Sequence, residues 1–153
     1  METQDVNVVI VSLQSPLKIG IYKQNQLVEV ISSHEQTSEV LPKIFQSLLQ
    51  KYKIQKIAFA RGPGSFMAIK ITYIFLRTLS ITRGIELFAC DGFYFSKNQP
   101  IKAMKKLYFV KEDDRITTKI FQEEIETEFF LPEVFEIEEF SKDIEPLYIL
   151  PAV

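Results

Sequence analysis

Cysteine and histidine are nearly absent from this 153-residue chain, with Cys90 and His34 the single residue of each type. One thiol excludes an internal disulfide. One imidazole excludes a multi-histidine metal site and the paired histidines of a zinc protease. Basic excess is also missing: 18 Lys plus Arg face 20 Asp plus Glu, so the whole molecule lacks the positive field with which a protein grips a phosphate backbone unaided. Long apolar runs are missing too. Val8 to Leu13 is shorter than a signal core or a membrane span, and Met1 to Val6 carries two acids and no Lys or Arg. These absences lead us to expect a cytoplasmic protein that is neither exported nor anchored. Tryptophan is absent and glycine scarce, at five residues; no repeat or low-complexity tract occurs.

What is present describes a folded core. Hydrophobic residues make up 46% of the chain, with 13 Phe and six Tyr, and charged residues make up 25%. That suffices for one buried core, or for one core with a small appended lobe. Val6 to Leu13, Leu17 to Tyr22 and Leu27 to Ser32 read as three consecutive antiparallel strands. Val8, Val9, Ile10 and Val11 do not alternate, which predicts a central strand buried on both faces. From Ser38 the period changes: Leu41, Ile44, Phe45, Leu48, Leu49 and Tyr52 form one helical stripe, with Thr37 or Ser38 as cap and Pro42 near the start. Ile57 to Ala60 reads as a buried strand. Phe66 to Arg83 reads as a helix capped by Ser65 and stopped by Gly84, and Glu86 to Ala89 as a fifth strand.

The second half is less regular. Asn98-Gln99-Pro100 marks a break. Leu107 to Lys111 and Ile116 to Phe121 flank Glu112 to Arg115 as a hairpin, and Ile125 to Phe130 reads as its third strand. Residues 132–142 are expected as a short acidic helix, and Pro146 to Pro151 as an extended tail.

The helix Phe66 to Arg83 is apolar nearly all round, interrupted by the charges of Lys70 and Arg77. One face against a sheet cannot bury all of that, so a second helix, a partner, or both must cover the remainder. The inward faces should be core. The excess should pack against helices of another subunit.

The strand and helix order β-β-β-α-β-α-β matches the half-domain of actin-like and ribonuclease H-like folds. Ala58-Phe59-Ala60-Arg61-Gly62-Pro63-Gly64-Ser65-Phe66 resembles the signature of the TsaB family, approximately GRGPGSFTGVR. Gln36 to Pro42 is similar to that family's HSxxLLP helix start, and Glu145 to Ile149 resembles its terminal PLYLR. The resemblance implies an α/β fold with a five-stranded mixed sheet and flanking helices at residues 1–90, then a reduced β-rich lobe at 91–153 whose tail packs back. It implies a non-catalytic scaffold for threonylcarbamoyladenosine synthesis in transfer RNA. The expected partners are the transferase TsaD and the ATPase TsaE, with a homodimer when alone and transfer RNA met only indirectly. On that basis Leu41, Phe45, Leu48, Phe66, Ile69, Lys70, Tyr73, Ile74, Leu76 and Arg77 are expected at the partner surface, and Arg61, Gly62, Pro63, Gly64 and Ser65 form the signature loop.

The chain also departs from the family pattern. At the first turn, Ser12-Leu13-Gln14 replaces the family's Asp followed by Thr or Ser, so no carboxylate is there to hold magnesium and Leu13 offers no donor to a phosphate. Met67-Ala68 replaces Thr-Gly, and Gln36 replaces the helix-start histidine. No catalytic residue, metal or cofactor is therefore expected, and ATP or ADP only in complex with partners. Three other readings are set against this one. Arg61, Gly62, Gly64 and Ser65 have the composition of an anion-binding loop, although Pro63 removes an amide and no GKS or GKT is present. A tight strand-to-helix connection is the preferred account of them. A nucleotide-binding or catalytic role would follow sugar-kinase relatives of the fold. A hydrolase would pair His34 with Ser12, Ser65 or Ser96. Cys90, ahead of Asp91-Gly92, is expected as an inert buried thiol, and the glutamate run from 123 to 139 as a solvated face.

Overall fold

The computed structural model describes residues 4–149. Strand β1 (Gln4–Val11) lies at the centre of a five-stranded sheet of order β3-β2-β1-β4-β5, completed by β2 (Leu17–Lys23), β3 (Gln26–Ser33), β4 (Tyr52–Ala60) and β5 (Glu86–Cys90). It runs antiparallel to β2 and parallel to β4, which in turn is parallel to β5. Its unbroken apolar run is explained by burial on both faces. Val8 and Ile10 enter one hydrophobic cluster and Val9 and Val11 the other, none more than 1% exposed.

The first cluster lies under α1 (Thr37–Lys51) and α2 (Phe66–Arg83). Val40, Leu41, Phe45 and Leu48 point into it from α1, and Leu76 and Leu79 from α2, whereas Ile69 near the head of α2 joins the second cluster. The helices meet edge to face at Phe45 and Phe75, whose ring centres are 5.4 Å apart. The ends of α2 follow the sequence reading: the Ser65 hydroxyl accepts a bond from the Ala68 amide, and Gly84 is left-handed at φ 68°. The start of α1 does not. Gln36 holds the cap position without a side-chain bond, because the Thr37 hydroxyl is turned to that of Ser12, 3.1 Å away. Pro42 is the sixth residue of the helix rather than part of its first turn, so the helix forgoes the bond to the Ser38 carbonyl.

The opposite face is covered by a second sheet, β6 (Ile101–Met104), β7 (Leu107–Glu112) and β8 (Arg115–Ile120), together with the short α3 (Phe93–Ser96) and a strap of residues 121–136 without regular structure. The hairpin forms where expected, but its third strand is β6, not Ile125 to Phe130. The hydrogen bonds of the strap explain this. Side chains of Gln14, Lys18 and Tyr22, four residues apart, donate to the carbonyls of Thr127, Phe129 and Pro132 at 2.7, 2.7 and 2.6 Å. Tyr108 brackets both backbone groups of Ile125. The carbonyls of Ile125, Thr127, Phe129 and Pro132 are thus bound by side chains instead of a ladder. The acidic helix expected at 132–142 is also absent, reduced to one 3-10 turn, Ile137–Glu139. Phe135 and Phe140 are buried five positions apart, and the backbone is tied to Asn25 and Ala89 on either side, which a helix does not permit. Of the expected tail, Leu150 and Pro151 lie outside the described residues. No helix among the described residues is long and apolar enough to cross a membrane.

One buried group in α2 has no bond. Thr72 is 3% exposed and its hydroxyl lacks a hydrogen-bond partner. Replacing it with the isosteric valine removes an unpaired polar atom, so T72V should gain about 1 kcal/mol of stability. Urea denaturation reads this directly, and a loss of stability would show that the hydroxyl is satisfied in solution.

Candidate functional site

The signature loop leaves β4 at Ala60 and enters α2 at Phe66. Its backbone is tied on three sides. Arg61 N donates to Cys90 O at 3.0 Å, Ser65 N to Leu13 O at 2.9 Å, Gly92 N to Gly62 O at 2.8 Å, and Leu147 N to Arg61 O at 2.8 Å. The Arg61 guanidinium reaches the Glu145 carbonyl at 2.9 Å and Asp143 at 3.7 Å. Gly62 has φ 130°, and a Cβ there would strike the Leu147 carbonyl. The loop therefore joins the first turn, the end of β5 and the C-terminal segment.

The ground between the loops is closely filled. Leu13, 1% exposed, fills the space between the loops: a Cβ on Gly64 would lie 2.7 Å from its carbonyl oxygen, and one on Gly92 would strike its side chain. The polar groups of the turn are used elsewhere, Ser12 on Thr37, Gln14 on Thr127, and the Ser65 amide on Leu13. Among the described residues no group of three His, Cys, Asp or Glu side chains could hold a metal ion.

Of the ten helix-pair residues singled out in the sequence, the structure divides one half from the other. Leu41, Phe45, Leu48, Ile69 and Leu76 are buried in the chain's own core, none more than 3% exposed, and present nothing to a partner. The heptad-like apolar stripe of α1 is spent on α2 and the sheet. Phe66, Lys70, Ile74 and Arg77 are exposed, and Tyr73 is half-buried with its hydroxyl 3.3 Å from Glu145. Met67 and Ile81 belong with them, at 65% and 76% exposure. Met67, Ile71, Ile74 and Ile81 fall at i, i+4, i+7 and i+14, so they line one outward stripe of α2. Phe66 meets Tyr148 edge to face at 5.5 Å. Met67 and Ile81 were legible from this spacing.

The serines proposed as partners of His34 are engaged elsewhere: Ser12 with Thr37, Ser65 as the α2 cap, Ser96 with the Gln99 carbonyl. The hydroxyl that does meet His34 Nδ1 is that of Ser15, at 3.2 Å. Both are exposed, and among the described residues no carboxylate orients the imidazole. A positioned general base needs that third group.

Cys90 lines an open cleft of about 520 Å³ with Asp91, Tyr94, Lys111 and Glu139. Burial pushes its thiol well above the ordinary range and Asp91 adds to this, against the smaller pull of Lys111 and Arg61. The shift favours the neutral thiol over the nucleophilic thiolate. Asp91 is fixed by Lys111 at 2.6 Å and by the Phe93 amide at 2.9 Å. No sequence signal pointed to this pair, whose members stand twenty residues apart. Of the glutamates from 123 to 139, Glu124 and Glu128 meet Lys102 and Lys18 at 3.8 and 3.7 Å, and the run is exposed throughout.

The loop geometry makes Gly62 irreplaceable. G62A places a side chain at a disfavoured φ and against a carbonyl, and should cost about 3 kcal/mol or more. Thermal denaturation checks this, with alanine at the unhindered Gly84 as the comparison that separates strain from collision.

No protein-family model matches the sequence, and no curated protein matches it. Solved structures do. YeaZ from Pseudomonas aeruginosa aligns with a TM-score of 0.59 at 12% identity, over 76% of this chain and 64% of that one. A structure described as an uncharacterised protein with similarity to peptidase YeaZ from Pseudomonas aeruginosa aligns with a TM-score of 0.58, at the same identity and coverage. This chain thus spans 64% of the length of these two structures, and what it shares with them is the YeaZ-like form of the actin-like and ribonuclease H-like α/β fold.

Proposed function

We propose that this chain is a non-catalytic docking subunit in the synthesis of threonylcarbamoyladenosine in transfer RNA, acting on a TsaD-type transferase in the cytoplasm. The observation that carries the proposal is the outward stripe of α2, where Met67, Ile74 and Ile81 stand 65%, 53% and 76% exposed on a helix whose other face is fully used. Aliphatic side chains aligned on one helix face gain by packing against an apolar groove, at about 25 cal/mol per Å² removed from water. The YeaZ-like fold and the loop Arg61 to Ser65 support the family reading. In this account TsaD carries out the transfer, TsaE joins the assembly, and a second copy of this chain covers the stripe when the partners are absent.

A nucleotide-binding role is disfavoured by Leu13, which occupies the room a phosphate needs. Calorimetry with ATP and magnesium should therefore register no binding to the isolated chain, and a micromolar dissociation constant would overturn this part of the account. The peptidase reading has one observation in its favour, the Ser15–His34 contact. S15A should leave every activity of the protein unchanged, and labelling of Ser15 by a fluorophosphonate would reverse that judgement.

Two substitutions in α2 separate docking from folding. Ile74 is outward, so I74R should change stability by less than about 0.5 kcal/mol while weakening the complex with TsaD at least roughly tenfold. Leu76 is fully buried. L76R forces a charge into the core and should cost about 4 kcal/mol or more, unfolding the chain rather than selectively releasing a partner. Light scattering and titration with TsaD, beside denaturation curves, measure both; an I74R chain that binds TsaD as well as the parent rules out this face.

A further inference from the structure

Charge on the small sheet is sorted by end. The β7–β8 turn carries Glu112, Asp113 and Asp114 with Arg115, whereas the opposite end carries Lys102, Lys105, Lys106 and Lys119. Register brings these lysines together from separate parts of the chain. Lys102 pairs across from Tyr108, and Tyr108 across from Lys119, so two lysines flank one buried tyrosine in a single cross-strand row. Lys105 and Lys106 form the β6–β7 turn beside them, held in place by the bond from Phe121 N to Lys106 O at 2.9 Å. All four lysines are exposed.

Among the described residues, Lys105, Lys106 and Lys119 have no carboxylate within ion-pair distance. Lys119 lies over the Phe121 ring at 5.4 Å. Lys102 does have an anion, Glu124 of the strap, at 3.8 Å. That pair is exposed on both sides and is worth under about 1 kcal/mol, so a competing anion can displace the carboxylate. Met104 and Ile120 stand at the same end, 58% and 76% exposed, in register with Leu107 between them.

We propose that this lysine-bearing end of the small sheet is a contact for the phosphate backbone of RNA, and that Glu124 is the anion it holds in the chain alone. The preference for a polyanion rests on the lysines; the choice of RNA rests on the function proposed above. Ammonium groups bind phosphate oxygens as point charges and need no fixed fork geometry, which suits a turn and two strand positions. Met104 and Ile120 share the neighbouring cross-strand row with Leu107 and so point to the sheet face opposite Lys102 and Lys119, leaving the phosphate contact to the lysines. The near-neutral whole chain does not oppose this, because binding answers to the local field within a Debye length. Stable attachment to an anionic membrane takes a lipid chain together with a basic patch, and four lysines with two aliphatic tips supply only part of that.

The test uses the full chain, alone and with TsaD, and unmodified transfer RNA as the probe. Binding to the isolated chain, followed by fluorescence anisotropy, should weaken roughly 50- to 150-fold between 50 and 200 mM salt if four phosphates are engaged. K105A/K106A/K119A should remove most of that salt dependence and at least roughly tenfold in affinity at low salt, with an unchanged circular dichroism spectrum. E124Q should strengthen binding. The triple variant should still bind TsaD, so failure here is distinguishable from failure of the docking account, which the α2 variants report. Transfer RNA binding that is absent at low salt, or indifferent to these substitutions, overturns the proposal. So does a triple variant that keeps its affinity for transfer RNA and loses it only for phosphatidylserine vesicles.

Discussion

Leu13 is the point on which the two halves of the structure lean. Its carbonyl receives the Ser65 amide at the head of α2, and its side chain presses on Gly64 and Gly92, the latter just after β5. Three strand ends are drawn together by one leucine. In doing so it occupies the ground between the first turn and the loops after β4 and β5, which at the carboxyl ends of parallel strands is where α/β folds bind ligands. In this chain that ground is filled by an apolar side chain, 1% exposed. The loop Arg61 to Ser65 is accordingly built for contact with its own chain, with the glycines kept because Leu13 and the Leu147 carbonyl leave no room for a Cβ.

The N-terminal half was legible because its signals are local. Continuous apolar runs marked a strand buried on both faces, and Ser65 and Gly84 marked the ends of α2 within one residue. In the second half only the β7–β8 hairpin was legible, since the rest takes its order from distant side chains. Ile125 to Phe130 has the alternation of a strand, yet its backbone is bound by the side chains of Gln14, Lys18 and Tyr108 and by the Phe95 carbonyl, which no local window contains. Ile101 to Met104 pairs with β7 instead, although its four residues carry little pattern. The acidic stretch at 132–142 lost its helix to two buried phenylalanines and to bonds with Asn25 and Ala89.

The candidate site was legible in part for a related reason. Helical periodicity locates an apolar stripe but does not say how many stripes a helix has. On α1 the single stripe is inward, so Leu41, Phe45 and Leu48 could only be core once α2 and the sheet were in place. On α2 two stripes coexist, one through Ile69, Leu76 and Leu79 and another through Met67, Ile74 and Ile81. Composition alone blurred them, and burial separates them.

The surplus on α2 bears on why the fold covers its two faces so differently. The strap and the 3-10 turn after it carry eight glutamates from 123 to 139 and no Lys or Arg, and with Phe129, Phe135 and the following Phe140 they keep the second face of the sheet closed beneath an acidic exterior. The α2 face has no such cover, only Lys70 and Arg77 beside the exposed aliphatics. A chain able to shield one apolar face with an irregular strap had a local means of shielding the other, and the α2 stripe lies bare despite it. On the docking proposed above, such a stripe has its helix backbone already fixed by the opposite, buried face, which lowers the ordering cost of packing against another helix.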